Sequence, residues 1–95
     1  MSARVVIAGD STPRFAPHVR FRFDEARQRW TVLAPEKLLL PDEQATAILQ
    51  LLDGARTVDQ LIEELARQYE APADVVGEDV RAMLQDLADK GIVAT

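Results

Sequence analysis

The sequence predicts an α+β fold of winged-helix type, a three-stranded antiparallel sheet followed by a three-helix bundle, in 95 residues. Three observations predict it. Polar and apolar residues alternate over His18–Phe23 and again over Arg29–Leu33, the period of a half-buried strand. From Pro41 onward the apolar residues return at helical spacing, in three segments broken at Gly54 and at Ala71-Pro72. Neither set can bury its apolar face alone, whereas a small sheet laid on helices buries both.

The elements follow in order. Residues 1–13 read as a flexible N-terminal arm ahead of a domain spanning 14–95. Within the arm, Val5-Val6-Ile7 has strand character and Gly9–Pro13 reads as a loop. Val19, Phe21 and Phe23 share one face of the first strand; His18, Arg20 and Arg22 share the other. Asp24–Gln28 has the polarity and length of a hairpin turn, and Trp30 and Val32 lie on one face of the returning strand. Ala34-Pro35-Glu36 breaks that strand, and Lys37-Leu38-Leu39-Leu40 is expected as a third. Pro41-Asp42-Glu43 suits a first helical turn, since proline lacks an N–H and acids favour the positive end of the dipole. Ala45, Ile48, Leu49 and Leu52 continue that helix toward Gly54. Thr57 and Gln60 have the spacing of a capping box. Val58, Leu61, Ile62, Leu65 and Tyr69 then line one face, with Glu63 and Arg67 at ion-pair spacing. Val76, Val80, Met83, Leu84 and Leu87 make the stripe of the last helix, with Asp86 and Lys90 paired and Gly91 ending it. Gly77 inside that helix is either a close approach of a neighbouring backbone or simply tolerated.

Composition limits function. With 47% hydrophobic and 28% charged residues the chain has a globular profile. No segment is long and apolar enough for a bilayer or a secretory signal, so a cytoplasmic protein is expected. There is no cysteine and one histidine, which removes disulfides, thiolate metal sites and iron–sulfur ligation. No metal and no cofactor are expected. Net charge is −5, unevenly divided: residues 1–41 hold seven basic and four acidic residues, residues 42–95 four and twelve. The acidic half argues against nucleic acid.

No catalytic constellation stands out. His18 lies among arginines with no adjacent nucleophile or orienting carboxylate. Gly9-Asp10-Ser11 has the dipeptide of a phosphopantetheine carrier but lacks the preceding helix, and Pro13 blocks the following one. Two features point instead to binding. Arg20, Arg22, Arg27 and Arg29 cluster on the hairpin, where they either blunt an edge or contact an acidic peptide or protein. If Lys37–Leu40 is an edge strand, its unpaired backbone beside apolar pockets can accept a peptide as an added strand.

An ordered series of residues resembles the PqqD family. It runs through Arg14, the Val19–Phe23 strand, Trp30-Thr31-Val32-Leu33-Ala34-Pro35-Glu36, Leu40-Pro41, Ile48-Leu49, Asp53-Gly54 and Thr57-Val58. It continues through Leu65-Ala66, Tyr69, Asp79-Val80, Leu84, Leu87 and Gly91, covering roughly residues 13–93. The resemblance implies a winged-helix-like recognition element for ribosomal precursor peptides. It implies a peptide chaperone, not an enzyme, which binds the peptide PqqA and presents it to the radical S-adenosylmethionine enzyme PqqE. That enzyme joins a glutamate and a tyrosine of the peptide. It also implies that the peptide adds antiparallel to Lys37, Leu38, Leu39 and Leu40 and lies against Val75, Val76, Asp79 and Met83. Arg20, Arg22 and Arg29 are then candidates for docking the enzyme.

Two other readings carry tests. A winged-helix nucleic-acid binder shares the element order and predicts a gel shift, although neither late helix offers a basic face. A carrier modified on Ser11 predicts a phosphopantetheine mass. The chain is expected as a monomer or a weak homodimer, the latter through pairing of Val5–Ile7 with a second copy.

Overall fold

The computed structural model describes residues 4–95. Its main sheet holds β2 (Arg20–Asp24), β3 (Arg29–Ala34) and β4 (Lys37–Leu39) in the order β2-β3-β4, all antiparallel. Three helices follow: α1 (Glu43–Leu49), α2 (Val58–Tyr69) and α3 (Ala73–Asp89). The expected α+β architecture is therefore the observed one. A second, two-stranded sheet pairs β1 (Arg14–Phe15) with β5 (Val93–Ala94) and ties the two ends of the domain together.

The register explains the alternation. Phe21 faces Val32, Phe23 faces Trp30, and Val32 faces Leu39, so these side chains share the face turned to the helices. Phe15, Phe21 and Trp30 form a stack, with ring centroids 5.4 and 4.7 Å apart, and Phe23 meets Trp30 edge-on at 5.9 Å. Such cross-strand aromatic pairs stabilise a hairpin beyond their buried area.

Helix α1 starts where expected, with Asp42 as its cap accepting the Ala45 N–H at 2.7 Å. It ends at Leu49, five residues short of Gly54. The Leu51 and Leu52 N–H groups turn to the carbonyls of Ile48 and Leu49, and the Asp53 carboxylate then takes the N–H groups of Ala55 and Arg56. Asp53 thus offers the backbone an alternative to helix. The capping box forms: Thr57 Oγ1 accepts the Gln60 N–H at 3.1 Å, and Gln60 Oε1 accepts the Thr57 N–H at 2.9 Å. On α2, Val58, Leu61, Ile62 and Leu65 are buried, but Tyr69 is 54% exposed. Arg67 pairs with Glu64 at 3.3 Å, three residues back, and not with the Glu63 expected four back. Gly77 is buried, and a Cβ there would lie 3.3 Å from Ile62 Cδ1, so the α2–α3 crossing uses the missing side chain. Gly91, at φ +77°, reverses the chain so that the Ile92 N–H reaches the Leu87 carbonyl. Ile92 and Val93 then fold back into the core.

Of the arm expected over residues 1–13, residues 1–3 lie outside the described residues, and residues 4–13 lie against the helices. They form no strand, and they lie along α3 and the start of α2. The Arg4 guanidinium bonds both oxygens of Asp89, at 2.9 and 2.8 Å. The Gln85 carboxamide accepts the Ile7 N–H at 2.9 Å and donates to the Val5 carbonyl at 2.7 Å. Ile7 sits in the core at 8% exposure. The Val58 N–H donates to the Ser11 carbonyl and the Asp59 N–H to the Gly9 carbonyl, both at 2.9 Å. With Thr57 serving Gln60, the first three N–H groups of α2 are all satisfied, two of them by the arm. A Cβ on Gly9 would lie 2.6 Å from Asp59 Oδ2, so glycine permits this approach. Ser11 is held in this turn, its hydroxyl accepting the Ala8 N–H at 3.0 Å.

Candidate functional site

The turn Pro35-Glu36 fixes the character of β4. It joins Ala34 to Lys37 through two residues, with Glu36 at φ +62°. A two-residue turn closes on a pair that exchanges hydrogen bonds, and bonded and non-bonded pairs alternate from there. Lys37 and Leu39 therefore bond Ala34 and Val32, while the N–H and C=O of Leu38 point away from β3. No strand lies on that side among the described residues, since β4 ends the sheet. Lys37–Leu39 is a true edge with Leu38 as its outward-bonding residue, and Leu38 and Leu40 are 42% and 46% exposed.

Beside this edge runs an apolar groove of about 180 Å³, lined by Val32, Leu39, Leu40, Ala45, Met83 and Leu87 among others. A cavity of about 150 Å³ is enough for a benzene-sized guest. Leu39 forms one wall because it points to the helix side, opposite Val32; Met83 and Leu87 form the other because they share one stripe of α3. Met83 is half-buried, so the groove floor is reachable.

The structure does not bring all eight expected peptide-contacting residues into one groove. Leu39, Leu40 and Met83 line the one just described. Val75, Val76 and Asp79 open instead into a second apolar pocket of about 240 Å³, bounded by Gln44 and Ile48 of α1 and by Leu65 and Tyr69 of α2. Helix α1 makes the split, because Gln44 and Ile48 wall the second pocket while Ala45 and Leu49 wall the first. Lys37 and Leu38 belong to the edge through their backbone and line neither pocket.

The three expected docking arginines also separate. Arg20 and Arg22 are exposed on β2. Arg29 is engaged within the chain: its Nη2 donates to the carbonyls of Leu40 at 3.2 Å and Pro41 at 3.0 Å. It clasps the end of β4 to the start of α1 and so shapes the groove from outside. Nothing in the local sequence signals this role, which needs β3 and the strand–helix junction side by side. A wider concavity, about 660 Å³, lies at the hairpin tip between Phe23, Trp30 and α1. Its charged rim is largely committed: Arg27 pairs with Asp24, Arg29 holds carbonyls, and Asp42 caps α1. The edge with its apolar groove is the better docking site.

Displaced acidities lie elsewhere. The Asp24 carboxyl is held below the usual range by the Arg27 backbone N–H and guanidinium, and Asp53 by the N–H groups of Arg56 and Ala55. The Arg4 guanidinium does the same to Asp89. All three serve turns or the arm. No group of three potential metal ligands occurs among the described residues. No helix there is long and apolar enough to cross a membrane. The one cation of α3 within its span, Arg81, is paired with Asp59 at 3.2 Å, so this helix presents no free basic face.

Residues 29–93 match the family model described as coenzyme PQQ synthesis protein D (PqqD). The chain belongs to the PqqD family. A relative from Rhodopseudomonas palustris (strain BisB5), named PqqA binding protein, is 51% identical over 92 residues, covering 97% of this chain and 90% of that protein. The bifunctional coenzyme PQQ synthesis protein C/D of Methylorubrum extorquens is 38% identical over 86 residues, which is 90% of this chain and 23% of that longer protein. Among solved structures, the solution NMR structure of the PqqD truncation of Methylobacterium extorquens PqqCD aligns with a TM-score of 0.79 at 37% identity. It covers 95% of this chain and 96% of that one, and is described as a stand-alone recognition element for ribosomally synthesised, post-translationally modified peptides. The crystal structure of PqqD from Xanthomonas campestris aligns with a TM-score of 0.56 at 33% identity, covering 90% of this chain and 94% of that one. The family's fold matches the one built above, and the nucleic-acid reading has no support beside it.

Proposed function

We propose that this chain binds the precursor peptide PqqA in pyrroloquinoline quinone biosynthesis and holds it for the radical S-adenosylmethionine enzyme PqqE, performing no chemistry itself. The single observation that carries this reading is the open β4 edge beside an apolar groove. PqqA adds antiparallel to Lys37–Leu39, and alternate side chains of the guest enter the groove between Leu39 and Met83. The relatives named PqqA binding protein support the identity of the guest.

Magnitudes divide the work. An edge this short offers about two to four backbone hydrogen bonds, each worth roughly 0.5–1.5 kcal/mol net. Ordering a flexible peptide costs about 2–5 kcal/mol. The two terms nearly cancel, while a micromolar complex needs about 8 kcal/mol. Apolar anchors supply the difference, at roughly 1.5–3 kcal/mol for each large side chain fully buried. The edge therefore sets direction and register, and the groove sets affinity. Val75, Val76 and Asp79 serve the part of the peptide that runs beyond the edge.

Calorimetric titration of PqqA into the wild type and Leu38→Pro tests the reading. Proline at an edge residue whose N–H faces outward removes no bond to β3. The variant stays folded, and its affinity for PqqA falls tenfold or more. Equal affinities in two folded proteins would refute strand addition at this edge.

A further inference from the structure

The groove beside β4 holds a sulfur atom. The chain has no cysteine and two methionines, Met1 and Met83. Met83 lines the groove from α3, together with Leu39, Leu40, Leu49 and Leu87. It packs against the core but is only half-buried. The lip of the groove is open, with Leu40 46% exposed. A small oxidant therefore reaches a thioether that the fold does not seal. A thioether is flexible and apolar and fills irregular gaps well; its sulfoxide is polar.

The surroundings offer nothing to an added oxygen. Every side chain that lines the groove is apolar. In the empty groove, water reaches a sulfoxide oxygen and supplies its hydrogen bonds. A guest that fills the groove expels that water. The Leu38 N–H, which faces outward at the edge, is occupied by the guest's own backbone. The sulfoxide oxygen is then buried without a donor, and that penalty falls on the complex and not on the empty chain.

We infer that Met83 is an oxidation site that sets the state of the groove: as the thioether it lets the groove hold a peptide, and as the sulfoxide it releases one. The inference rests on the strand addition argued above. The oxidant is a peroxide, hydrogen peroxide in the simplest case. A sulfur lone pair attacks one peroxide oxygen, and the S–O bond forms as the O–O bond breaks. The departing hydroxide takes the proton of the transferred oxygen and leaves as water. Sulfur gives up two electrons and the peroxide gains them. A thiol-dependent reductase reverses the step, supplying two electrons and two protons and releasing the oxygen as water. A bound peptide covers the sulfur, so occupancy slows the oxidation.

The test treats the full chain with hydrogen peroxide, removes the peroxide, and titrates unoxidised PqqA into it by calorimetry, with Met83→Leu treated alongside. Mass spectrometry of fragments follows oxygen on Met83 and on Met1 separately, and Trp30 fluorescence in urea follows the fold. The wild type gains an oxygen at Met83, stays folded and loses tenfold or more in PqqA affinity. Met83→Leu binds PqqA within threefold of the untreated wild type both before and after treatment, which removes Met1 from the account. Met83→Gln, with an amide in place of the thioether, reproduces the loss without peroxide. Saturating PqqA slows oxidation of Met83 at least threefold. A folded, oxidised chain that binds PqqA as the untreated one does would overturn the proposal; shielding of Met83 in that same experiment would leave the peptide's place in the groove standing. Bound PqqA that gives no shielding would take the peptide out of the groove, and the proposal with it. Met83 that stays reduced while Met1 is oxidised would also overturn it. Where the oxidised chain loses its fold, Met83→Gln decides, and wild-type affinity in that folded variant would overturn the proposal.

Discussion

Replacing Ile7 by alanine removes three carbons from a side chain that is 8% exposed and packed in the core. Isoleucine-to-alanine changes in cores cost about 2–5 kcal/mol, the value depending on how far the site collapses. Ile7 lies under a segment that is otherwise largely exposed, so its surroundings can relax, and the low end, about 2 kcal/mol, applies. For a small domain the urea slope is about 1–3 kcal/mol/M. The unfolding midpoint should therefore fall by roughly 1 M, taking the slope near 2. Trp30 is the only tryptophan and sits on the sheet, stacked on Phe21, far in sequence from Ile7. Its fluorescence reports loss of the sheet, so a shift seen there means that the arm belongs to the same cooperative unit. A midpoint unchanged within about 0.2 M, against that expected shift, would refute the docked arm and restore the free one.

Three further outcomes follow from the same geometry. Arg29→Ala releases the Leu40 and Pro41 carbonyls and loosens the β4–α1 junction; calorimetry should show a several-fold weaker PqqA complex with the fold retained, and an unchanged affinity would remove Arg29 from groove shaping. Thr57→Ala deletes the side-chain half of the capping box and should cost about 1 kcal/mol in urea unfolding, with Thr57→Ser recovering most of it. Asp24, Asp53 and Asp89 have folded acidities below the ordinary value, so the native state binds fewer protons than the unfolded one near pH 4. Their stabilisation is complete above the usual aspartate pKa of about 3.9 and is lost as the pH falls through the folded values. The urea midpoint should drop from pH 5 to pH 2.5, and a midpoint that rises over that range would contradict the assignment.

Local patterns made much of the fold legible. The alternation of Val19–Phe23 and Trp30–Val32 is written two residues at a time, and the Thr57–Gln60 box needs only its own turn. The strand at Lys37–Leu39 was readable from the Ala34-Pro35-Glu36 break before it, but its periodicity does not tell an edge from a central strand, and only the sheet order β2-β3-β4 makes it an edge. What was hidden depends on distant partners. Val5–Ile7 has strand composition, but the groups that bind its backbone belong to Gln85, some eighty positions away. The β1–β5 pair joins residue 14 to residue 94 through two residues per strand, too few to show a period. Helix α1 stops early because the Asp53 carboxylate captures two backbone N–H groups, a competition that apolar spacing does not reveal. On the site, the resemblance placed Leu39, Leu40 and Met83 where the groove is. It could not show that α1 divides Val75, Val76 and Asp79 from them, nor that Arg29 faces its own chain.

Hydrogen exchange at individual backbone amides, followed while PqqA is added, tests the central claim most directly. Lys37 and Leu39 already donate to β3, whereas Leu38 donates outward and has no partner among the described residues. The account predicts that PqqA slows exchange at Leu38 by tenfold or more and leaves Lys37 and Leu39 little changed. Saturating peptide that leaves Leu38 exchanging at its free rate, with protection gathered on the α2–α3 side instead, would contradict it.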